Sequence, residues 1–161
     1  MLEEQWADPE FLLQFFKANE TLLSNSIYSH YTVREAVLKT IKDAQILFNQ
    51  LYDIAEAGFE DPQENLSQFF VPLHKSDAAL LVQHQQCKAY GLEIADGWLR
   101  LYAIRLSANS FIITGGGIKL VRTMQESILL NNELTVLKNV QQFLIDHNIL
   151  DVDDIVSDNT I

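Results

Sequence analysis

Seven residues in the middle of the chain are of types that handle phosphate and nucleobases: Lys88, Tyr90, Arg100, Tyr102, Arg105, Lys119 and Arg122. Cations projecting from a sheet can hold phosphate charge and stabilise the negative charge that develops in phosphoryl transfer. Tyrosine can stack on a base. Gly115, Gly116 and Gly117 lie among them and make up half of the six glycines. A Walker-type phosphate loop needs Gly-Lys-Ser/Thr, and here Ile118 separates Gly117 from Lys119. A dinucleotide fingerprint needs glycine where Leu120 stands. Two uses of the triplet remain: a tight turn or close backbone approach, or a nest of amides that binds an anion beside Lys119, with Gly116 and Gly117 touching substrate. The plainer use of the cations is ion pairing on a solvated sheet. Arg100 and Arg105 have opposite strand parity, so only one of them can line a given face.

Other chemistries have little support. His30, His74, His84 and His147 show no metal-ligand spacing, and Cys87 is the single cysteine, so no metal or cofactor is implied. The acidic end of the chain breaks the order of a calcium loop after Asp153. No nucleophile elbow or supported Cys-His pattern is present. Glu93 is the lone acid on a predicted strand, and its expected role is a cross-strand pair with Arg100.

These residues need a scaffold. Asp8-Pro9-Glu10 predicts a helix start, followed by an apolar face of Phe11, Leu12, Phe15 and Phe16. Thr32 and Glu35 form a capping box for a long helix over 33–57, with Val33, Val37, Ile41, Ala44, Phe48, Leu51 and Ala55 on one face. Gly58 reads as its left-handed cap, and the outer face, Lys39 and Asp43 included, as an ordinary solvated mix. Phe69 to Val71 predicts an edge strand ended by Pro72, and Ser76-Asp77 predicts a short helix over about 78–85. From Lys88 the period changes to two. Asp96-Gly97 predicts a two-residue hairpin turn, which sets Leu92 opposite Leu101, Glu93 opposite Arg100 and Lys88 opposite Arg105. A second hairpin turns at 107–110, pairs Ile104 with Ile113, and leaves the sheet at the glycines. A last helix is predicted over 133–147, capped by Asn131 or Asn132 and closed by Asn148.

The expected fold is α+β: N-terminal helices and a C-terminal helix packed on one face of an antiparallel sheet of about four strands. Residues 1–150 read as one domain and 151–161 as an acidic, mobile tail. Among 161 residues the net charge is −11. Residues 86–125 carry 5 Lys/Arg against 2 Asp/Glu, so a mildly basic centre lies between acidic flanks. That balance argues against DNA and non-specific nucleic-acid binding. No apolar run is long enough to predict a membrane span. The acidic start lacks the pattern of a signal peptide, and the single cysteine fits a reducing compartment, so a cytoplasmic location is expected.

Two N-terminal helices precede a sheet with Gly91-Leu92-Glu93-Ile94, Trp98-Leu99-Arg100-Leu101-Tyr102 and a final strand ending in glycine and lysine. This order resembles the RelE/HigB-like toxins over about residues 33–122. Those are small ribonucleases of toxin–antitoxin pairs that cut messenger RNA, usually on the ribosome. The resemblance implies that Arg100 matches the strand arginine holding the scissile phosphate and Lys119 the basic residue near the last strand's end. Tyr102 or Tyr90 would stack a base, Lys88, Arg105 and Arg122 would add substrate contacts, and a cognate antitoxin would be the partner. Cleavage through an oriented 2′-hydroxyl requires no metal. Two alternatives stand beside it: a non-enzymatic protein-interaction domain on the same scaffold, and a small-anion binder at the glycines.

Overall fold

The structure is a computed structural model describing residues 1–74, 82–121 and 128–158. Helix α1 spans Leu2–Ala7, α2 Pro9–Ala18, α3 Glu20–Ser24 and α4 Val33–Ala57. Asp8 Oδ1 accepts from the Glu10 N–H at 2.9 Å and Pro9 opens α2, as the sequence predicts. Thr32 Oγ1 accepts from the Glu35 N–H at 3.2 Å. The Thr32 hydroxyl also donates to Glu35 Oε1 at 3.1 Å, so the carboxylate meets the hydroxyl. The buried face of α4 contains Val37, Ala44, Phe48 and Leu51 but also Ala36, Thr40, Asp43 and Leu47. Its centre is therefore rotated toward the side on which Asp43 lies.

Gly58 closes α4 at φ −64°, in the right-handed region. It is not a left-handed cap. A side chain there would collide with Asn109. Asn109 Nδ2 donates to Ala55 O at 3.2 Å, and its Oδ1 accepts from the Leu66 N–H at 3.0 Å. One amide thus satisfies the end of α4 and the start of α5, Leu66–Phe69.

The sheet has four antiparallel strands in the order β1 (Val71–Pro72), β2 (Gln86–Ala89), β3 (Leu99–Ser107) and β4 (Ser110–Ile118). The predicted first hairpin is corrected. Leu101 pairs with Ala89 rather than Leu92, and Lys88 faces Tyr102 rather than Arg105. An odd slip of three residues moves each β2 side chain to the opposite face. The connection is a loop in which Gly91, Glu93 and Asp96 have φ of 87°, 64° and 52°. Gly97 does not share the positive φ that a type I′ turn requires at both positions. The loop lets Trp98 reach the core, where it is fully buried and Nε1 donates to Thr40 Oγ1 at 2.9 Å. The second hairpin keeps its predicted register at Ser107↔Ser110 and from Tyr102↔Gly115 onward. Between them Ile104 pairs with Ile112, because Thr114 is an extra residue bulged out of β4. The helix expected over 78–85 lies largely outside the described residues, and 82–85 form a turn.

Helices cover both faces of the sheet, not one. Leu99, Leu101 and Ala103 join the core of α1 to α4, whereas Tyr102, Ile104 and Leu106 join Leu130, Leu137 and Leu144 of α6, Ile128–Asp146. Helix α6 starts earlier than predicted, so Asn131 and Asn132 lie inside it. Asn148 does close it, at φ 50°. The Asn148 N–H bonds Ile145 O at 3.1 Å and the Ile149 N–H bonds Leu144 O at 2.9 Å, a Schellman ending. The acidic stretch beyond contains α7, Val152–Asp158. Asp151 Oδ1 accepts from the Asp154 N–H at 3.1 Å at its start.

The chain does not leave the sheet at the glycines. Strand β4 runs through them to Ile118. A Cβ on Gly116 would lie 2.5 Å from Arg100 O and 2.7 Å from Leu2 of α1, and one on Gly117 would lie 2.7 Å from Leu130 of α6. The triplet lets helices approach the strand from both sides. Gly116→Ala should cost about 1–3 kcal/mol through overpacking against a backbone atom that cannot yield. Urea denaturation measures it, and an unchanged midpoint would contradict this packing.

Candidate functional site

Arg100 is half-buried near the start of β3. Its Nη1 donates to Gly97 O at 3.0 Å and to Leu99 O at 2.8 Å, and the guanidinium lies 5.3 Å from the centre of the Tyr90 ring. Burial lowers its pKa, while Tyr102, Tyr28 and Tyr90 pull the other way. The expected Glu93–Arg100 pair does not form. Glu93 stands exposed in the left-handed loop, and among the described residues no carboxylate pairs with Arg100.

Tyr102 is 1% exposed beneath α6. Its hydroxyl has no hydrogen-bond partner among the described residues. Burial pushes its pKa up to about 12, with Arg100 opposing and Glu133 adding. A base could stack on this ring only if α6 moved. Tyr102→Phe should stabilise the protein by about 1 kcal/mol, since the buried hydroxyl is desolvated without return. A tyrosine whose folded pKa lies above its ordinary 10 contributes stability below pH 10 that is lost as pH rises toward 12. The phenylalanine variant should lose less stability over pH 10–12 than the parent, as thermal melts at stepped pH would show. Equal losses would place the alkaline titration elsewhere.

The other predicted site residues are dispersed. Lys119 is half-buried just past β4, and its N–H donates to Trp98 O at 2.6 Å, which brings its backbone beside the strand carrying Arg100. Lys88 is half-buried on β2 between Val71 and Tyr102. Tyr90 is 46% exposed. Arg105 pairs across from Phe111, far along β3 from Arg100, and its buried Nε has no hydrogen bond among the described residues. Arg122 lies outside the described residues. Gly116 and Gly117 are strand residues packed under helices. The structure brings together Arg100, Tyr90 and Tyr102, of which the last is closed off.

A different feature lies on the outer edge of β4. The Lys119 N–H bonds to Trp98 O, and the Arg105 N–H bonds to Gln85 O on the other side of β3. In an antiparallel ladder these fix the phase: Gly115 and Gly117 turn their polar groups to β3, while Gly116 and Ile118 turn theirs outward. Along that edge runs a groove of about 210 Å³. Trp6, Phe11 and Phe15 form one wall, and Glu133 of α6 forms the other. The Glu133 carboxylate fills the space a side chain at Gly115 would need. Burial raises its pKa, and no described residue bonds or pairs with it. Sequence reasoning missed Glu133, although its place three residues after Leu130 and four before Leu137 puts it on the apolar stripe of α6. A larger hollow of about 560 Å³ between α3 and Leu120 is lined in part by Leu22, Ile27 and Tyr28, and its described lining residues include no cation or carboxylate.

No protein-family model matches this chain, and neither the curated proteins nor the solved structures contain a significant match. Its chemistry therefore rests on its own geometry. Among the described residues no three His, Cys, Asp or Glu side chains are grouped to hold a metal ion, and no helix is long and apolar enough to cross a membrane.

Proposed function

We propose that this chain is a non-enzymatic protein-interaction domain whose acidic surface receives a basic partner. One observation carries the reading. Of the residues expected to serve the phosphate chemistry, Arg100 is turned onto main-chain carbonyls, and Tyr102, one of the two candidates to stack a base, is sealed beneath α6. The net charge of −11 favours a cationic partner through long-range attraction. A cytoplasmic setting suits the fully buried, reduced Cys87. The test is capture from a nuclease-treated lysate of the source organism at low and high salt. A basic protein retained at low salt and released at high salt is the expected result. Recovery of RNA from untreated lysate, with no protein partner after nuclease, would defeat it.

A second reading keeps the RelE/HigB-like ribonuclease. It is favoured by Arg100 lying beside the exposed Tyr90 with no carboxylate paired to it among the described residues. In that reading Tyr90 rather than Tyr102 stacks the base, Arg100 and Lys119 hold the phosphate, messenger RNA is the substrate and an antitoxin the partner. Induced expression should then arrest growth, and Arg100→Ala should relieve the arrest. Growth without arrest, and no RNA cleavage in a translating extract, would remove this reading.

A further inference from the structure

We propose that Asp96-Gly97 is a modification site, where the main chain isomerises to an isoaspartyl linkage that a carboxyl methyltransferase can reverse. The site does not depend on which partner or substrate the domain takes.

The chemistry is a ring closure. The Gly97 amide nitrogen attacks Cγ of the Asp96 carboxylic acid. A new N–C bond forms, and the C–O bond to the hydroxyl breaks. The amide proton and the hydroxyl leave together as water, and a succinimide remains. Water then adds to either ring carbonyl. Breaking the bond from nitrogen to Cγ restores aspartate. Breaking the bond from nitrogen to the α-carbonyl carbon leaves the chain running through the side-chain carbonyl, with the α-carboxylate free. No oxidant or cofactor enters.

Closure needs a following residue that leaves the nitrogen open to approach, and a main chain free to turn. Glycine meets the first need, because it carries no Cβ. Asp96-Gly97 is the one place in the sequence where an Asp or Asn precedes glycine. The loop between β2 and β3 meets the second. Asp96 is exposed there, at φ 52°, a left-handed conformation that an L-residue holds at a cost. Leaving it for the geometry of closure gives up little backbone energy. Other candidates are held. Asp43 and Asp53 lie inside α4. Asp8 and Asp61 precede prolines, whose nitrogen has no proton to lose. The Asn109 amide is bonded to main chain through both of its polar atoms.

The linkage has a structural consequence because both neighbours of Asp96 are tied. Lys39 Nζ donates to Ala95 O at 3.1 Å, and Arg100 Nη1 donates to Gly97 O at 3.0 Å. Trp98 follows, fully buried, with its indole N–H on Thr40. An isoaspartyl residue inserts one more carbon into the main chain between these anchors, so the Lys39 tie or the seat of Trp98 must shift. The freed α-carboxylate takes a methyl group from the sulfonium of S-adenosylmethionine, which departs as S-adenosylhomocysteine. The ester then loses methanol as the Gly97 nitrogen attacks it. The succinimide forms again, and its hydrolysis returns part of the chain to aspartate.

The test ages the full folded chain in mildly acidic buffer, since the carboxylic acid is the reacting form. Cleavage after Lys88 and Arg100 releases residues 89–100, whose aspartyl and isoaspartyl forms separate by chromatography. The isoaspartyl form should accumulate in that peptide, and an isoaspartyl methyltransferase with S-adenosylmethionine should reduce it. Gly97→Ala should slow accumulation severalfold. Its Cβ would come nearest to Ile94 Cγ2, at 3.1 Å, a side chain that can give, so a melt close to the parent's is expected. Asp96→Glu must close a larger ring and should form none, which keeps the test decisive if the alanine variant folds poorly. The isolated isoaspartyl fraction should unfold at a lower urea concentration than the parent. Isomerisation of the chain in urea but not of the folded chain would overturn the proposal, because the loop would then protect the site. Isoaspartate confined to other peptides, or absent altogether, would also overturn it. Equal urea midpoints would overturn the structural consequence.

Discussion

Trp98→Ala should lower the free energy of unfolding by about 3–5 kcal/mol, the usual range for deleting a buried tryptophan. This is a large part of the roughly 5–15 kcal/mol that holds a domain of this size together. The indole is the meeting point of three chain segments. Tyr28 packs edge-on at 5.1 Å between ring centres, Tyr31 at 5.3 Å and Phe16 at 5.6 Å. Its N–H is satisfied by Thr40, which is itself fully buried on α4. Removing the ring empties the space between α2, the loop after α3, and the start of β3. It also leaves the Thr40 hydroxyl without its indole donor. Trp98→Phe would keep part of the volume and should cost less. The measurement is urea denaturation, and a change below 1 kcal/mol would mean that the ring is not the keystone of this cluster.

Lys39→Met should cost about 3 kcal/mol, because it strands a buried carboxylate. Lys39 Nζ lies 2.6 Å from Asp43 Oδ2, donates to Ala95 O at 3.1 Å and stands 5.3 Å over the Trp98 ring. The side chains are 13% and 9% exposed, so solvent screens the pair little. Methionine retains most of the stem but offers no charge to Asp43. Adding Asp43→Asn to the same chain should recover a good part of the loss, since the amide carries no charge to be compensated. A double-mutant cycle read by denaturation would show the coupling. Additive losses would mean that the two charges are held independently.

These residues also mark where sequence reading succeeds and fails. The caps are local chemistry and were legible: Asp8 before Pro9, Thr32 before Glu35, and Asn148 after the last apolar stripe. The α+β class, four antiparallel strands and the extent of α4 follow from periodicity over long windows. Lys39 and Asp43 read from sequence as solvated charges because their burial depends on Trp98, which reaches α4 only when the Asp96-Gly97 turn is not used. A propensity for a tight turn was overridden by a large ring that needed a pocket. That one exchange shifted the register by three residues and dissolved the predicted contacts of Lys88 with Arg105 and Glu93 with Arg100. The Arg-x-Tyr pattern was visible as a candidate site. The covering of Tyr102 by α6 was not, because strand parity does not say which face a later helix will take. Glu133 became visible as a site residue only once the triplet proved to be strand.

Glycine is among the weaker strand formers, and three in succession forgo the backbone preference that would hold this part of β4 in place by itself. Order there must come from outside the strand. Helix α1 supplies it on one face through Leu2 and Trp6 over Gly116, and α6 supplies it on the other through Leu130 over Gly117. Loosening either helix weakens the seat of the other, although they lie on opposite sides of the sheet. Segments more than a hundred residues apart in sequence are thereby joined in one cooperative unit. Amide exchange at Leu130 and Trp6 should report the same opening event.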